Sequence, residues 1–385
     1  MRIFIYFIVF FSFFDLFTQL PIMTPMGQAL GATGFVLGLV VGIYSFSNLF
    51  GNVISGFLTD KYGPFYVLVA GLLSSAVALF LYTTVDYTIT LISVRLLHGF
   101  TEGLIVPAAF TFIANRSEEN KRGRNVAISG AFVGLAAIIG PAFGGIVSSI
   151  KSPAYVMGIN GAIMLLLSGI AFLLLRKEIV KKKEKPVIHE GEVKALFQNP
   201  FVLRSFAGAF FLMFSQGVLA LLLPLKVNNP TDSTNMSAFL FSTFGFVAVL
   251  IFLLPTNRIF DRVRPIITFM IGLSLMALSM LLLGLFDETW ILYSTMAIYG
   301  TGFALLFPSI NSLLIDNTKE HVRGKAYGYF YGFFSIGVFV GSSIIGALNV
   351  SINTGFIITS VILFVVSGYV GSKMKRGFDN SSFLY

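Results

Sequence analysis

Cysteine is absent from the 385 residues, which excludes disulfides, thiolate metal sites and cysteine nucleophiles. Charge is scarce: 11% of residues are Asp, Glu, Lys or Arg, about half the share of a soluble protein. No H-E-x-x-H, G-x-G-D or G-x-S-G stretch occurs, which leaves an intramembrane hydrolase without its reacting groups. His98 and Glu102 form H-x-x-x-E, but no third ligand accompanies them, so neither a metal nor another cofactor is expected. A G-x-x-x-x-G-K-[ST] stretch is missing too, and with it the phosphate cradle of an ATP-driven pump.

What fills the chain is apolar. Hydrophobic residues make up 56% and the mean hydropathy is +0.87, the composition of an integral membrane protein. Twelve runs are long enough to span a bilayer as helices, at 4–26, 34–57, 65–85, 88–114, 125–149, 153–175, 202–225, 237–256, 266–286, 290–314, 326–348 and 354–372. They are continuous rather than alternating, which argues against an outer-membrane barrel. The first, "MRIFIYFIVFFSFFDLFTQLP", lacks a small-x-small cleavage site and stays apolar past Pro21. It reads as an uncleaved helix rather than a secretory signal.

The net charge of +9 is explained by topology, not by affinity for nucleic acid. With the N-terminus in the cytoplasm, 23 of the 26 basic residues fall at inner loops and helix ends. Lys151 and Lys226 fall outside, and Arg95 lies within a helix. The positive-inside rule then places both termini of this multi-pass chain on the cytoplasmic face of the cell membrane. The run "KKKEK" (Lys181–Lys185) reads as a linker segment facing anionic lipid.

The second half repeats the first at an offset of 201 residues. "DKYGP" (Asp60–Pro64) matches "DRVRP" (Asp261–Pro265). Gly99, Pro107, Arg122 and Gly123 match Gly300, Pro308, Arg323 and Gly324. The expected fold is therefore all-α: two pseudo-symmetric six-helix bundles, residues 1–175 and 201–385, joined by a cytoplasmic linker at 176–200. Parallel halves with a binding site at their midplane interface are an architecture of secondary transporters.

Two glycine-rich stretches stand out. In "GFLTDKYGPF", Gly56 permits close helix approach and Gly63 a sharp turn, while Asp60 and Lys61 supply a polar latch or simply an ordinary loop. In "GLAAIIGPAFGG", Gly140 and Gly144 share one helix face and Pro141 bends the helix, with Gly145 beside them. Close packing and the shaping of a cavity wall both fit that pattern.

Together these stretches resemble the major facilitator superfamily, and within it the twelve-helix drug:proton antiporters. Gly56, Asp60, Lys61 and Gly63 match the signature of the loop between helices 2 and 3, although its trailing basic pair is replaced by Pro64, Phe65 and Tyr66. Arg95 and Gly99 match the helix 4 signature. Gly140, Pro141, Gly144 and Gly145 match the helix 5 antiporter signature, whose two upstream glycines are Ala127 and Ala136 here. The resemblance implies the major facilitator fold, no enzymatic activity, and proton-coupled efflux of small, partly apolar compounds. The implied partners are a small-molecule substrate, protons and the bilayer, with the chain acting as a monomer. An importer or a lipid or sugar translocator on the same fold is the alternative.

Arg95, His98 and Glu102 interrupt helix 4 at i, i+3 and i+7, within roughly 60° of one face. An Arg or Asp at a helix centre costs roughly 2.5–3.5 kcal/mol. Their face must therefore turn toward protein or water. Asp15 lies at a similar depth in helix 1, whereas its counterpart at the offset is Gln216, and that of Arg95 is Met296. The charges are thus peculiar to the N-terminal half.

Asp15 and Glu102 are the candidate proton-carrying, substrate-facing carboxylates, since removal from water favours a carboxyl that holds its proton. Arg95 is the candidate modulator. A permanent ion pair of Arg95 with Asp15 or Glu102 is the competing reading. His98, Gln19, Gln216 and Asn311 are candidate cavity-lining residues, with interhelical hydrogen bonding as their plainer role.

Overall fold

The computed structural model describes residues 2–114, 122–176, 190–227, 233–253, 263–319 and 322–379. These are helical, with no strand among them. In the first half lie α1 (Arg2–Thr18), α2 (Met23–Ala29), α3 (Gly34–Tyr62), α4 (Pro64–Leu81), α5 (Thr88–Gly103), α6 (Ile105–Ala114), α7 (Arg122–Ile150) and α8 (Pro153–Leu175). A short α9 (Glu190–Gln198) precedes the second half: α10 (Pro200–Lys226), α11 (Ser233–Leu253), α12 (Pro265–Leu285), α13 (Thr289–Asp316), α14 (Arg323–Leu348) and α15 (Ile352–Asp379). Eleven spans are long and apolar enough to cross a membrane, and a twelfth exists if the bent pair α1 and α2 is counted as one.

Two expected helices are broken. The first does not run straight from 4 to 26: α1 stops at Thr18 and α2 leaves at 44°. Pro21 has no N–H for the Phe17 carbonyl, and the Leu20 amide bonds that carbonyl instead at 3.3 Å. The fourth is interrupted at Leu104, three residues before Pro107, which likewise cannot donate to Gly103. Helix α3 runs to Tyr62, and Gly63 turns the chain at φ 88°, a left-handed conformation that suits glycine, with Pro64 opening α4.

Helix pairs α1–α7, α3–α5 and α4–α8 build the first bundle, and α10–α14, α12–α13, α11–α13 and α12–α15 the second. The duplicated glycines do equivalent work. A Cβ on Gly99 would collide with the Tyr44 carbonyl of α3, and one on Gly300 would lie 2.6 Å from the Phe244 carbonyl of α11. In each half a missing side chain lets the fourth span of that bundle press against the second.

The bundles meet along α3–α14 and α7–α11. On the first seam Gly34, Gly38 and Gly42 face Gly346, Ser342 and Phe339, and the Phe46 ring packs tilted against Phe339 at 4.8 Å. On the second, Gly245 abuts the Ala137 carbonyl, four residues before Pro141 and so released from its helical bond by that proline. At one end Ser149 bonds Asn235 at 3.1 Å. At the other, a Cβ on Gly56 or Gly328 would meet nothing within 4 Å among the described residues.

The Asp60 side chain, the "KKKEK" run and the repeated Asp261 lie outside the described residues. Lys61 is exposed and its ammonium sits 5.0 Å from the Tyr62 ring.

Candidate functional site

Close packing of α7 on α1 sets the position of Asp15. A Cβ on Gly140 would lie 2.8 Å from the Phe17 Cβ, and one on Gly144 would overlap the Thr18 carbonyl group. The helix 5 glycines thus hold the end of α1 against the bundle, with Gly145 buried beside them. Asp15 is wholly buried there.

Its carboxylate is well supplied with donors. Asn160 of α8 donates to Oδ1 at 2.8 Å, and Gln19 donates to Oδ2 at 2.9 Å. His98 Nε2 stands 3.1 Å from Oδ2, although it is not well directed for a hydrogen bond. Asn160 also donates to Thr18 Oγ1 at 2.9 Å, whose hydroxyl bonds the Asp15 carbonyl at 2.7 Å. These contacts compensate the loss of water around a buried anion.

Arg95 takes neither partner of the competing ion-pair reading. No ion pair joins it to Asp15 or Glu102; it donates to Gln19 Oε1 at 2.9 Å and to the Val41 carbonyl at 2.8 Å. Its guanidinium also lies 5.5 Å from the Tyr44 ring centroid. The amide of Gln19, just past the end of α1, stands between the cation and Asp15. Its oxygen faces the guanidinium and its nitrogen the carboxylate, the only orientation that satisfies both. The break near Pro21 places Gln19 in a turn from which it can reach across.

Glu102 is 3% exposed and accepts from Ser75 of α4 through Oε2 at 2.7 Å, and the buried Ser12 hydroxyl of α1 also acts on its carboxyl. His98 is the hub. Its Nδ1 lies 3.2 Å from the Tyr82 hydroxyl, and the Tyr44 and Tyr82 rings pack edge-on at 5.1 and 5.7 Å.

The fold thus supplies the third ligand missing beside His98 and Glu102. One atom each of Asp15, His98 and Glu102 lie within 4.8 Å of one another, a nitrogen–oxygen set of the kind that can hold a divalent ion.

Burial describes how these residues stand in this conformation. Asp15, Gln19, Arg95, His98 and Glu102 are each at most 3% exposed, so none faces an open cavity in this conformation. They fill the inside of the first bundle.

Gln216 and Asn311 lie in the other bundle and do not join them. Gln216 is buried and accepts from the Tyr299 hydroxyl at 3.1 Å, which pairs with Ser215 at 2.9 Å. The half-buried Asn311 bonds back to the Phe307 carbonyl of its own helix at 2.8 Å. Tyr299 is the counterpart of His98 at the 201-residue offset, just as Gln216 is that of Asp15. Both halves therefore join equivalent positions, one through ionisable groups and the other through neutral ones. Sequence reasoning missed Ser75, Tyr82, Thr18 and the Val41 carbonyl, which no periodicity distinguishes from ordinary helix residues.

Membrane-spanning helices in two related bundles, with a polar cluster inside one, are an architecture of secondary transporters. The family model described as Major Facilitator Superfamily matches residues 5–227 and again 205–373, and the chain belongs to that superfamily.

It is 26% identical over 337 residues to an uncharacterized MFS-type transporter of Methanocaldococcus jannaschii, covering 85% of this chain and 86% of that one. It is 24% identical to the multidrug resistance protein MdtG of Enterobacter lignolyticus, covering 93% and 88%. With the quinolone resistance protein NorA of Staphylococcus aureus it shares 24% identity over 97% of each chain. The crystal structure of the nucleoside transporter NupG superposes with a TM-score of 0.80 at 16% identity, covering 97% of this chain and 99% of that one. That likeness concerns the fold.

Proposed function

We propose that the protein is a proton-coupled exporter of small, partly apolar compounds that works by alternating access. The observation that carries this reading is the pair of buried carboxylates, Asp15 and Glu102, gathered around His98 in the first bundle, with no such group in the second among the described residues. A buried ionisable group inside a membrane is costly and marks an ion or proton path. Asp15 and Glu102 carry the proton, and Arg95 acts on Asp15 through Gln19. The relatives named for multidrug and quinolone resistance support export over uptake.

Residues 1–175 and 201–385 are the rocking units and 176–200 their cytoplasmic linker, in a monomer of the cell membrane with both termini inside. With that orientation, the glycine seam at the start of α3 lies on the outer side. The outer entrance is then shut, and substrate enters from within. The loop motif Gly56, Asp60, Lys61 and Gly63 acts when the inner ends close.

The test uses purified protein in vesicles, with proton movement followed as a panel of lipophilic cations and metabolites is added. Asp15→Asn and Glu102→Gln proteins that insert normally lose coupled transport on this reading. Undiminished coupling in both refutes it. Accumulation rather than extrusion in cells identifies an importer instead.

A further inference from the structure

The charges of the cluster do not cancel. Arg95 contributes one positive charge, Asp15 and Glu102 contribute two negative ones, and neutral His98 adds none. A group of side chains sealed from water inside a membrane is least costly at zero net charge. One added proton brings it there. A divalent ion on the same three ligands leaves it at plus one, beside a guanidinium only one amide away.

On the proton-coupled reading of this site, we propose that Asp15, His98 and Glu102 share a single exchangeable proton, which His98 carries between the two carboxylates. Nε2 lies 3.1 Å from Asp15 Oδ2, within proton-transfer distance although no hydrogen bond joins them in this conformation, Nδ1 lies 3.2 Å from the Tyr82 hydroxyl, and one nitrogen or oxygen of each of the three residues falls within 4.8 Å of the others. In the step, the proton leaves Asp15 Oδ2 for Nε2, giving a carboxylate and an imidazolium whose Nδ1–H points at Tyr82. Nε2 then delivers it to a Glu102 oxygen, which lies within the same 4.8 Å group of atoms.

The total charge stays constant during this transfer and changes only when water supplies or removes the proton. The titratable and charged groups around His98 are Asp15 of α1, Tyr44 of α3, Tyr82 beyond α4, and Arg95 and Glu102 of its own helix. Asn160 and Gln19 hold Asp15 in place without charge. The neutral Gln216–Tyr299 pair of the second bundle cannot do the same, so a transport cycle moves one proton through the first.

The chain has three histidines, His98, His189 and His321, so nitrogen-15 labelling of histidine in the intact protein yields few signals. His189→Gln and His321→Gln assign them. His98 is expected to populate a form protonated on both nitrogens, and Glu102→Gln to change the share of that form. A His98 fixed as one neutral tautomer, or indifferent to Glu102→Gln, overturns the proposal.

In vesicles with tetraphenylphosphonium as the probe, His98→Gln is expected to lower proton-coupled flux by at least about tenfold. Wild-type protein that moves protons, with His98→Gln matching it within about twofold, also overturns the relay. Wild-type protein that moves no protons with any cation or metabolite refutes the exporter reading instead, and the histidine spectra still decide whether the proton is shared.

Discussion

The glycine seam between α3 and α14 invites a direct perturbation. Gly38→Ala places a methyl group 2.9 Å from the Ser342 carbonyl carbon and 3.0 Å from the Ser343 Cα. Both neighbours are backbone, so no rotamer change relieves the overlap and the helices must separate. Overpacking of this kind costs roughly 1–3 kcal/mol. The cost applies only where the seam is shut, so the closed form loses roughly 5- to 150-fold in population.

The assay measures distance between spin labels at Phe35→Cys and Leu348→Cys, exposed positions on the two facing helices at the Gly34–Gly346 end of the seam. The native chain has no cysteine to interfere. Gly38→Ala is expected to add a longer distance at the expense of the short one. Gly328→Ala is the control, because its Cβ meets nothing within 4 Å among the described residues. An unchanged distribution in Gly38→Ala, or an equal shift in Gly328→Ala, refutes the reasoning.

Other outcomes follow from the cluster. Asn160→Ala removes the donor to Asp15 Oδ1 and should cost roughly 1.5–3 kcal/mol, the worth of a hydrogen bond to a charged group, read as a lower melting temperature in detergent. Arg95→Lys should lower coupled flux nearly as much as Arg95→Met. A single ammonium cannot span Gln19 and the Val41 carbonyl as the guanidinium fork does; wild-type flux in Arg95→Lys counts against that geometry. Tyr299→Phe leaves Ser215 and Gln216 short of a partner and should cost about 1–3 kcal/mol of stability. It should leave the proton count of the cycle unchanged, because no charge is lost; a changed count in vesicle titrations contradicts the one-bundle assignment.

Much of the fold was legible because the bilayer leaves few choices. A segment crossing lipid must satisfy its own backbone, so long apolar runs are helices and their number can be counted. The breaks were harder to read. Pro21 and Pro107 were visible, but Pro141, Pro224 and Pro308 lie inside unbroken helices, so proline alone does not decide where a span breaks. The surroundings that re-satisfy its carbonyl do.

The residues of the site were readable in kind but not in partnership. That Asp15, Arg95, His98 and Glu102 could not face lipid followed from their charge, and their absence at the 201-residue offset marked them as special to one half. Which atoms they meet depends on how helices rotate and cross. Arg95 passes over both carboxylates for Gln19 and Val41, and Asp15 finds Asn160 across 145 residues of chain. Composition and periodicity determined that this chain spans a membrane, how many times, and which side chains would need company there. Tertiary packing decided the company: the glycines of α5 and α7 let their neighbours approach closely enough to turn three isolated charges and a histidine into one enclosed network.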